Sequence, residues 1–257
     1  MLGLGSSVTK GGAGAKTIVT DSLVLKHNYA RSSVQPVSTG AVYVSGSSDH
    51  VDLGNHFSST FSGNFSLAMW IKPIDGRPGS EQSFIGSVDS STDQVRVDLM
   101  TDGKLRFQIK ADGDEGYVDT NAVIFADGIG EWTHVACTTA LVGSGNTTMK
   151  IYINGVDRTT TTSTILSSKH DDWLSVRNLC LGGRNTSDGS ADRLFSGYIC
   201  NAGIWGATLT QPQIKSIMHK DYAGLSDSEK SGANLVSFWE LSSSNVDIHG
   251  TNDATLS

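Results

Sequence analysis

An all-β sandwich with one short helix is the fold this sequence predicts, and three observations predict it. Apolar residues recur at every second position in several separate segments, the two-residue period of a strand. Twenty-nine glycines and only four prolines punctuate the chain with many short connections. A single segment, "TLTQPQIKSIMHKDY", carries helical spacing behind a start signal.

The elements follow in order. Residues 1 to about 20 hold almost no large apolar side chain after Leu4, so burial cannot offset the entropy of ordering them without a partner. Residues 21–37, "DSLVLKHNYARSSVQPV", read as an arm lying on another surface. The anchoring candidates are Leu2, Leu4, Lys10, Lys16, Leu23, Leu25 and Tyr29, which sets an arm (1–37) before a domain (38–257). From Gly40 the alternation begins. In "FSLAMWIKP" residues Phe65, Leu67, Met69 and Ile71 share one face. "QVRVDLMTDGKLRFQIK" reads as a hairpin: Val95, Val97 and Leu99 run out, Asp102-Gly103 turns, and Leu105, Phe107 and Ile109 return. "MKIYINGVD" aligns Met149, Ile151 and Ile153 and ends in an Asn154-Gly155 turn. Further strands are expected at 41–45, 83–88, 116–125, 131–139, 178–181, 194–205 and 234–241. The helix takes Thr210 as N-cap and Pro212 in its first turn, with Ile214, Ile217 and Met218 on one stripe.

Composition narrows the function. The 257 residues carry a net charge of −7, which argues against nucleic acid as a partner, because phosphate binding rests on clustered Lys and Arg. No stretch approaches the run of about eighteen apolar residues that reads as a membrane span. Met1 to Ser7 shows no secretory signal. Cys137, Cys180 and Cys200 each lie in an apolar strand-like setting, which favours buried free thiols over a disulfide framework. The leader "KGGAGAKTIV" departs from a phosphate loop, since Ala15 precedes Lys16 and Lys10 holds the first glycine position. It reads as a tether.

Seven blocks taken together resemble the laminin-G-like members of the concanavalin A-like lectin/glucanase superfamily. They are "VSGSSDHVDLG", "FSLAMWIKP", "EWTHVACTTA", "MKIYINGV", "LCLGGR", "FSGYICNAGIWGATLTQPQI" and "LVSFWEL", in the family's order over roughly 40–241. The resemblance implies a jelly-roll sandwich of two antiparallel sheets. It also implies that the late "LVSFWEL" strand pairs beside the early "AVYVSG" strand. The first fifty or so residues resemble, in style, virion proteins of marine bacteriophages. That resemblance implies a capsid-decoration protein in the virion, its arm held by the major capsid or another virion protein, with a homo-oligomer as a further expectation.

This fold hosts enzymes and binders alike, so the residues must decide. Glucanases of the superfamily carry paired carboxylates on one strand, whereas the five glutamates here, Glu81, Glu115, Glu131, Glu229 and Glu240, show no such motif. An enzyme is therefore not expected. His134 reads as a packed sheet residue rather than a general base. Relatives often bind calcium through loop carboxylates, and the candidates here are Asp112, Asp114, Asp188 and Asp192. Where relatives often read G-x-I-D-E this chain has "GYICNAG", with Cys200 and Asn201 in place of the acids. No cofactor is otherwise expected. For a surface glycan the candidate is Trp173 in a polar loop, with Asp171, Asp172 and Arg184 nearby, while Trp70, Trp132, Trp205 and Trp239 read as core or sheet-face residues. A carbohydrate-binding module or adhesin is the alternative to the virion reading.

Overall fold

The alternating segments form strands in a computed structural model that describes residues 35–38, 40–89, 93–111, 114–142, 146–160, 177–186 and 190–256. All of these belong to one unit, Ser33–Ser257. The arm candidates Leu2, Leu4, Lys10, Lys16, Leu23, Leu25 and Tyr29 lie outside the described residues. In chain order the strands are β1 (Val42–Ser45), β2 (Val51–Asp52), β3 (Ser66–Pro73), β4 (Gln82–Asp89), β5 (Asp93–Leu99), β6 (Leu105–Ala111), β7 (Asp114–Asp119), β8 (Thr133–Val142), β9 (Asn146–Ile153), β10 (Val156–Asp157), β11 (Cys180–Leu181), β12 (Arg184–Asn185), β13 (Ala191–Asp192), β14 (Ser196–Trp205), β15 (Leu235–Trp239) and β16 (Thr255–Leu256). A one-turn helix α1 (Ser58–Phe61) precedes β3, and α2 (Gln211–Ile217) follows β14.

These strands build a jelly-roll sandwich of two sheets. The first orders β1-β14-β3-β8-β9-β10 with β15 also on β14; the second orders β16-β2-β11-β4-β5-β6-β7 with β12 and β13 alongside β4. Pairing is antiparallel except where Asn185 of β12 runs parallel to Ser87 of β4. The expected inward faces meet between the sheets: Leu67, Met69, Ile71, Val135 and Ile151 oppose Val95, Val97, Leu99, Phe107 and Ile109, all nearly or fully buried. Each such side chain contributes roughly 1.5–3 kcal/mol of transfer free energy. Cys137, Cys180 and Cys200 are free and buried, and burial pushes the thiols of Cys180 and Cys200 up to about 12.

Turn chemistry sets the register. Gly103 takes φ +80° between β5 and β6, and Asn154 and Gly155 take φ 49° and 73° between β9 and β10, as a type I′ turn requires. Thr210 caps α2 with a capping box, its side chain accepting from the Gln213 N–H. Thr210→Ala is expected to lower stability by about 1 kcal/mol; a urea midpoint unchanged from wild type would contradict this role.

Two expectations are corrected. The strand expected at 116–125 ends at Asp119 because the Gly103 carbonyl accepts from the amides of both Ile124 and Phe125, bending the chain away. The late strand β15 does not pair with β1. Both pair with the same edge of β14, β1 against residues 196–199 and β15 against 202–205. β14 is ten residues long and breaks register between Cys200 and Gly203, with Asn201 at φ 47°, so each half accepts one short strand.

The outer face of the first sheet is partly covered. Ala68, Ala136, Tyr152, Trp205 and Phe238 pack against Leu209, Ile214, Ile217 and Leu225 of α2 and its flanks. No described helix lies over the outer face of the second sheet.

Candidate functional site

The residues between the buried positions of β4, β5, β6 and β7 form the outer face of the second sheet. Register places Ser83, Asp98, Arg106 and Asp119 in one cross-strand row, and Gly86, Arg96, Gln108 and Tyr117 in the next. Paired residues in a ladder point to one side, so both rows face outward together. Arg184 of β12 lies against this face: a Cβ on Gly86 would stand 3.0 Å from the Cβ of Arg184. Glycine at 86 lets the arginine lie close to the sheet.

Every guanidinium on this face stands beside a carboxylate. Arg106 donates from Nε to Asp119 Oδ1 at 2.8 Å and from Nη2 to Oδ2 at 3.0 Å, while its Cζ sits 4.2 Å from the Tyr117 ring centroid. Arg184 is bidentate to Asp192, with Nε 2.7 Å from Oδ1. Arg193 reaches Asp98 Oδ2 at 3.2 Å from Nη1 and also pairs with Glu81. Beneath them Arg96 donates from Nε to Gln108 Oε1 at 3.1 Å. Its Nη1 lies 3.3 Å from Asp98 Oδ2, an ion-pair distance, yet makes no hydrogen bond.

Burial separates two layers. The side chains of Arg96 and Asp98 are 9% and 0% exposed, whereas those of Arg106, Asp119, Asp192, Arg193 and Glu81 range from 25% to 45%. Burial pushes the Asp98 carboxyl up against the opposing pull of Arg96 and the Ser83 hydroxyl, and pushes the Arg96 guanidinium down. Both directions have one cause, the cost of charge away from water. Asp98 Oδ1 accepts from Ser83 and Oδ2 from Arg193, which ties the two layers together.

Among the described residues this surface presents paired donors and acceptors. Arginine–carboxylate pairs set donors and acceptors side by side, the complement of adjacent hydroxyl groups, and are already ordered before a ligand arrives. A glycosidase needs a carboxylic acid that reaches the leaving oxygen. Here the carboxyl pushed upward, Asp98, is sealed under its neighbours, and Asp119, Asp192 and Glu81 are held by arginines.

Of the glycan candidates, Arg184 lies on this face, while Asp171, Asp172 and Trp173 lie outside the described residues. Asp112 and Asp188 also lie outside them. Asp114 is exposed at the start of β7, and Asp192 is committed to Arg184 on the far side of β6, β5 and β4. The structure does not bring those two together. Among the described residues no group of three His, Cys, Asp or Glu is placed to hold a metal ion.

His134 packs as expected on the first sheet, 2% exposed and 5.4 Å from Trp70, ring to ring. Burial, reinforced by His219, pushes its imidazole down to about 3. Beside it lies a cavity of about 10 Å3 lined by Trp70, His134, Asn201, Trp205 and Lys220, room for one water molecule but no sugar. His134 Nδ1 and Asn201 Oδ1 are both buried there without a hydrogen-bond partner.

The residues overlooked in the sequence are Arg96, Asp98, Arg106, Gln108, Asp119 and Arg193. For Arg96, Asp98, Arg106 and Gln108 the signal was available as the polar half of the alternation in "QVRVDLMTDGKLRFQIK"; Asp119 and Arg193 lie outside that segment.

Comparison with known proteins agrees with this architecture. The family described as the concanavalin A-like lectin/glucanases superfamily matches residues 45–215. The CBM40 module of the Ruminococcus gnavus IT-sialidase, bound to α2,3-sialyllactose, is similar at 15% identity and TM-score 0.54, over 70% of this chain and 97% of that one. The same module without that ligand gives 16% and 0.53 over 73% and 100%. A candidate carbohydrate-binding protein from Bacteroides ovatus gives 17% and 0.55 over 84% and 58%. At these identities the likeness shows the fold. No curated protein sequence matches significantly.

Proposed function

Because the chain belongs to the concanavalin A-like lectin/glucanases superfamily, we propose that it is a non-catalytic carbohydrate-binding module whose site is the polar outer face of β4–β7. The observation that carries this reading is the two-layer arrangement of Arg106–Asp119, Arg184–Asp192 and Arg193–Glu81 over the buried Arg96–Asp98 pair. The similar CBM40 module is bound to sialyllactose, which supports a glycan as the class of ligand. The test is a glycan array probed with wild type and with Arg184→Ala. Retention of a defined set of glycans, weakened about tenfold or more in the variant, is the expected result; each tenfold corresponds to 1.4 kcal/mol of lost binding. Equal retention by both proteins would contradict the site.

A second reading, a virion protein anchored on a capsid by its leader, draws on residues 1–37. One observation favours keeping it: the Val37 carbonyl accepts from Asn201 Nδ2 at 2.8 Å, so the last residue of that leader is tied to β14. Deleting residues 1–34 and measuring co-sedimentation with capsids tests it, with loss of sedimentation expected and unchanged sedimentation contradicting it.

A further inference from the structure

The opposite sheet carries a second surface of different chemistry. On its outer face Tyr43 of β1 pairs in register with Tyr198 of β14, and Tyr198 pairs with Lys72 of β3. The next register position after the Ile71–Thr133 pair places Trp132 beside Lys72. The row Tyr43–Tyr198–Lys72–Trp132 thus crosses four strands, about 14 Å at the ordinary strand spacing. It lies one register step from Cys200, Trp70 and His134, which α2 and its C-cap Met218 help to bury.

Its aromatic rings are grouped and open. The rings of Tyr43 and Tyr198 are 5.0 Å apart at 48°, those of Tyr198 and Trp132 6.4 Å apart at 54°. Tyr43 is 49% exposed, and Tyr198, Lys72 and Trp132 are half-buried. Among the described residues neither Tyr hydroxyl, nor the Trp132 indole N–H, nor Lys72 Nζ has a hydrogen-bond or ion-pair partner. Paired aromatics of this size on a strand face are ordinarily buried or used at an interface. Among the described residues Lys72, unlike the arginines of the other sheet, makes no ion pair with a carboxylate.

We propose that this row is a second glycan site, selective for an acidic polysaccharide. A pyranose ring stacks its C–H face on Tyr43 or Trp132, and the sugar carboxylate meets Lys72 Nζ in a charge-assisted hydrogen bond. An uncharged sugar leaves the ammonium unpaired, and a bare anion leaves the rings uncovered, so the combination selects the acidic sugar over both. The site is separate from the polar face of β4–β7, on the opposite side of the sandwich, and the two act independently.

Affinity electrophoresis of the full chain tests this in gels containing polygalacturonate, alginate or hyaluronate, with neutral galactan and dextran as controls and mobilities normalised to matrix-free gels. The expected result is retardation by at least one acidic polysaccharide and by neither neutral one. Tyr43→Ala and Trp132→Ala then weaken the apparent Kd about tenfold each. Lys72→Met weakens it several-fold and flattens its dependence on salt, as removal of a charge contact should. Tyr43→Phe retains binding, which separates stacking from loss of the strand, and thermal melts confirm that each variant is folded. Lys104→Met, a loss of charge in the β5–β6 turn, leaves retardation unchanged. No retardation in any acidic gel, equal retardation in neutral gels, or full retardation of Tyr43→Ala would overturn the proposal.

Discussion

Asp98→Ala is expected to cost about 3–5 kcal/mol, a large share of the stability of a domain this size. The substitution removes the carboxylate that faces Arg96 Nη1 at 3.3 Å and accepts from Arg193 at 3.2 Å. Arg96 is then a guanidinium 9% exposed without its ion-pair partner, and the Ser83 hydroxyl loses its acceptor. Stranding one member of a buried pair costs more than the pair contributes. The double change Arg96→Met with Asp98→Leu should therefore recover most of the loss. Urea unfolding reads both. A single-variant loss below about 1 kcal/mol would show that the pair is more hydrated than its burial indicates. The same change should also weaken glycan retention, because Asp98 holds Arg193 in place.

Acidification should destabilise the fold through His134. Its folded-state value lies near 3, against an ordinary value near 6.5, because burial opposes the charged imidazole. A depressed value means that below about pH 6.5 the unfolded chain binds a proton which the folded chain refuses. The contribution of His134 is complete above that pH and is lost as pH falls towards 3. Its slope approaches 1.4 kcal/mol per pH unit, and the total reaches about 4–5 kcal/mol. His134→Gln removes the titration, so the difference in urea midpoint between variant and wild type should shrink steadily from pH 7 to pH 4.5. A constant difference across that range would contradict the assignment. Titrating carboxylates contribute equally to both proteins and cancel.

Much of the fold was legible because one face of each strand is apolar. The inward residues of "FSLAMWIKP" and of the 93–111 hairpin, the Asn154-Gly155 turn and the Thr210 cap are local signals, each with a local physical cause. The edge sharing of β1 and β15 was not legible, because it depends on a bulge within β14 that no local residue type announces. The site was half legible. Arg184 carried no sign of its neighbours, since Gly86 lies 98 positions earlier and meets it only through a parallel bridge. Arg193 and Asp98 are likewise 95 residues apart. Alternating charges such as Arg96, Asp98 and Arg106 read as a solvated strand face until topology stacks them into rows. Trp132 was read as a core or sheet-face residue, and only the cross-strand row shows that it stands beside Lys72.

The claim that the outer face of β4–β7 is a glycan-binding surface is tested most directly by nuclear magnetic resonance. Backbone amides and arginine Nε–Hε groups of the 15N-labelled chain are followed during titration with a glycan retained on the array. The account predicts saturable shifts at Arg106, Tyr117, Asp119, Arg184, Asp192 and Arg193, with the Arg96 Nε–Hε signal responding beneath them. Saturable shifts confined to other parts of the sandwich, with these signals unmoved, would contradict it.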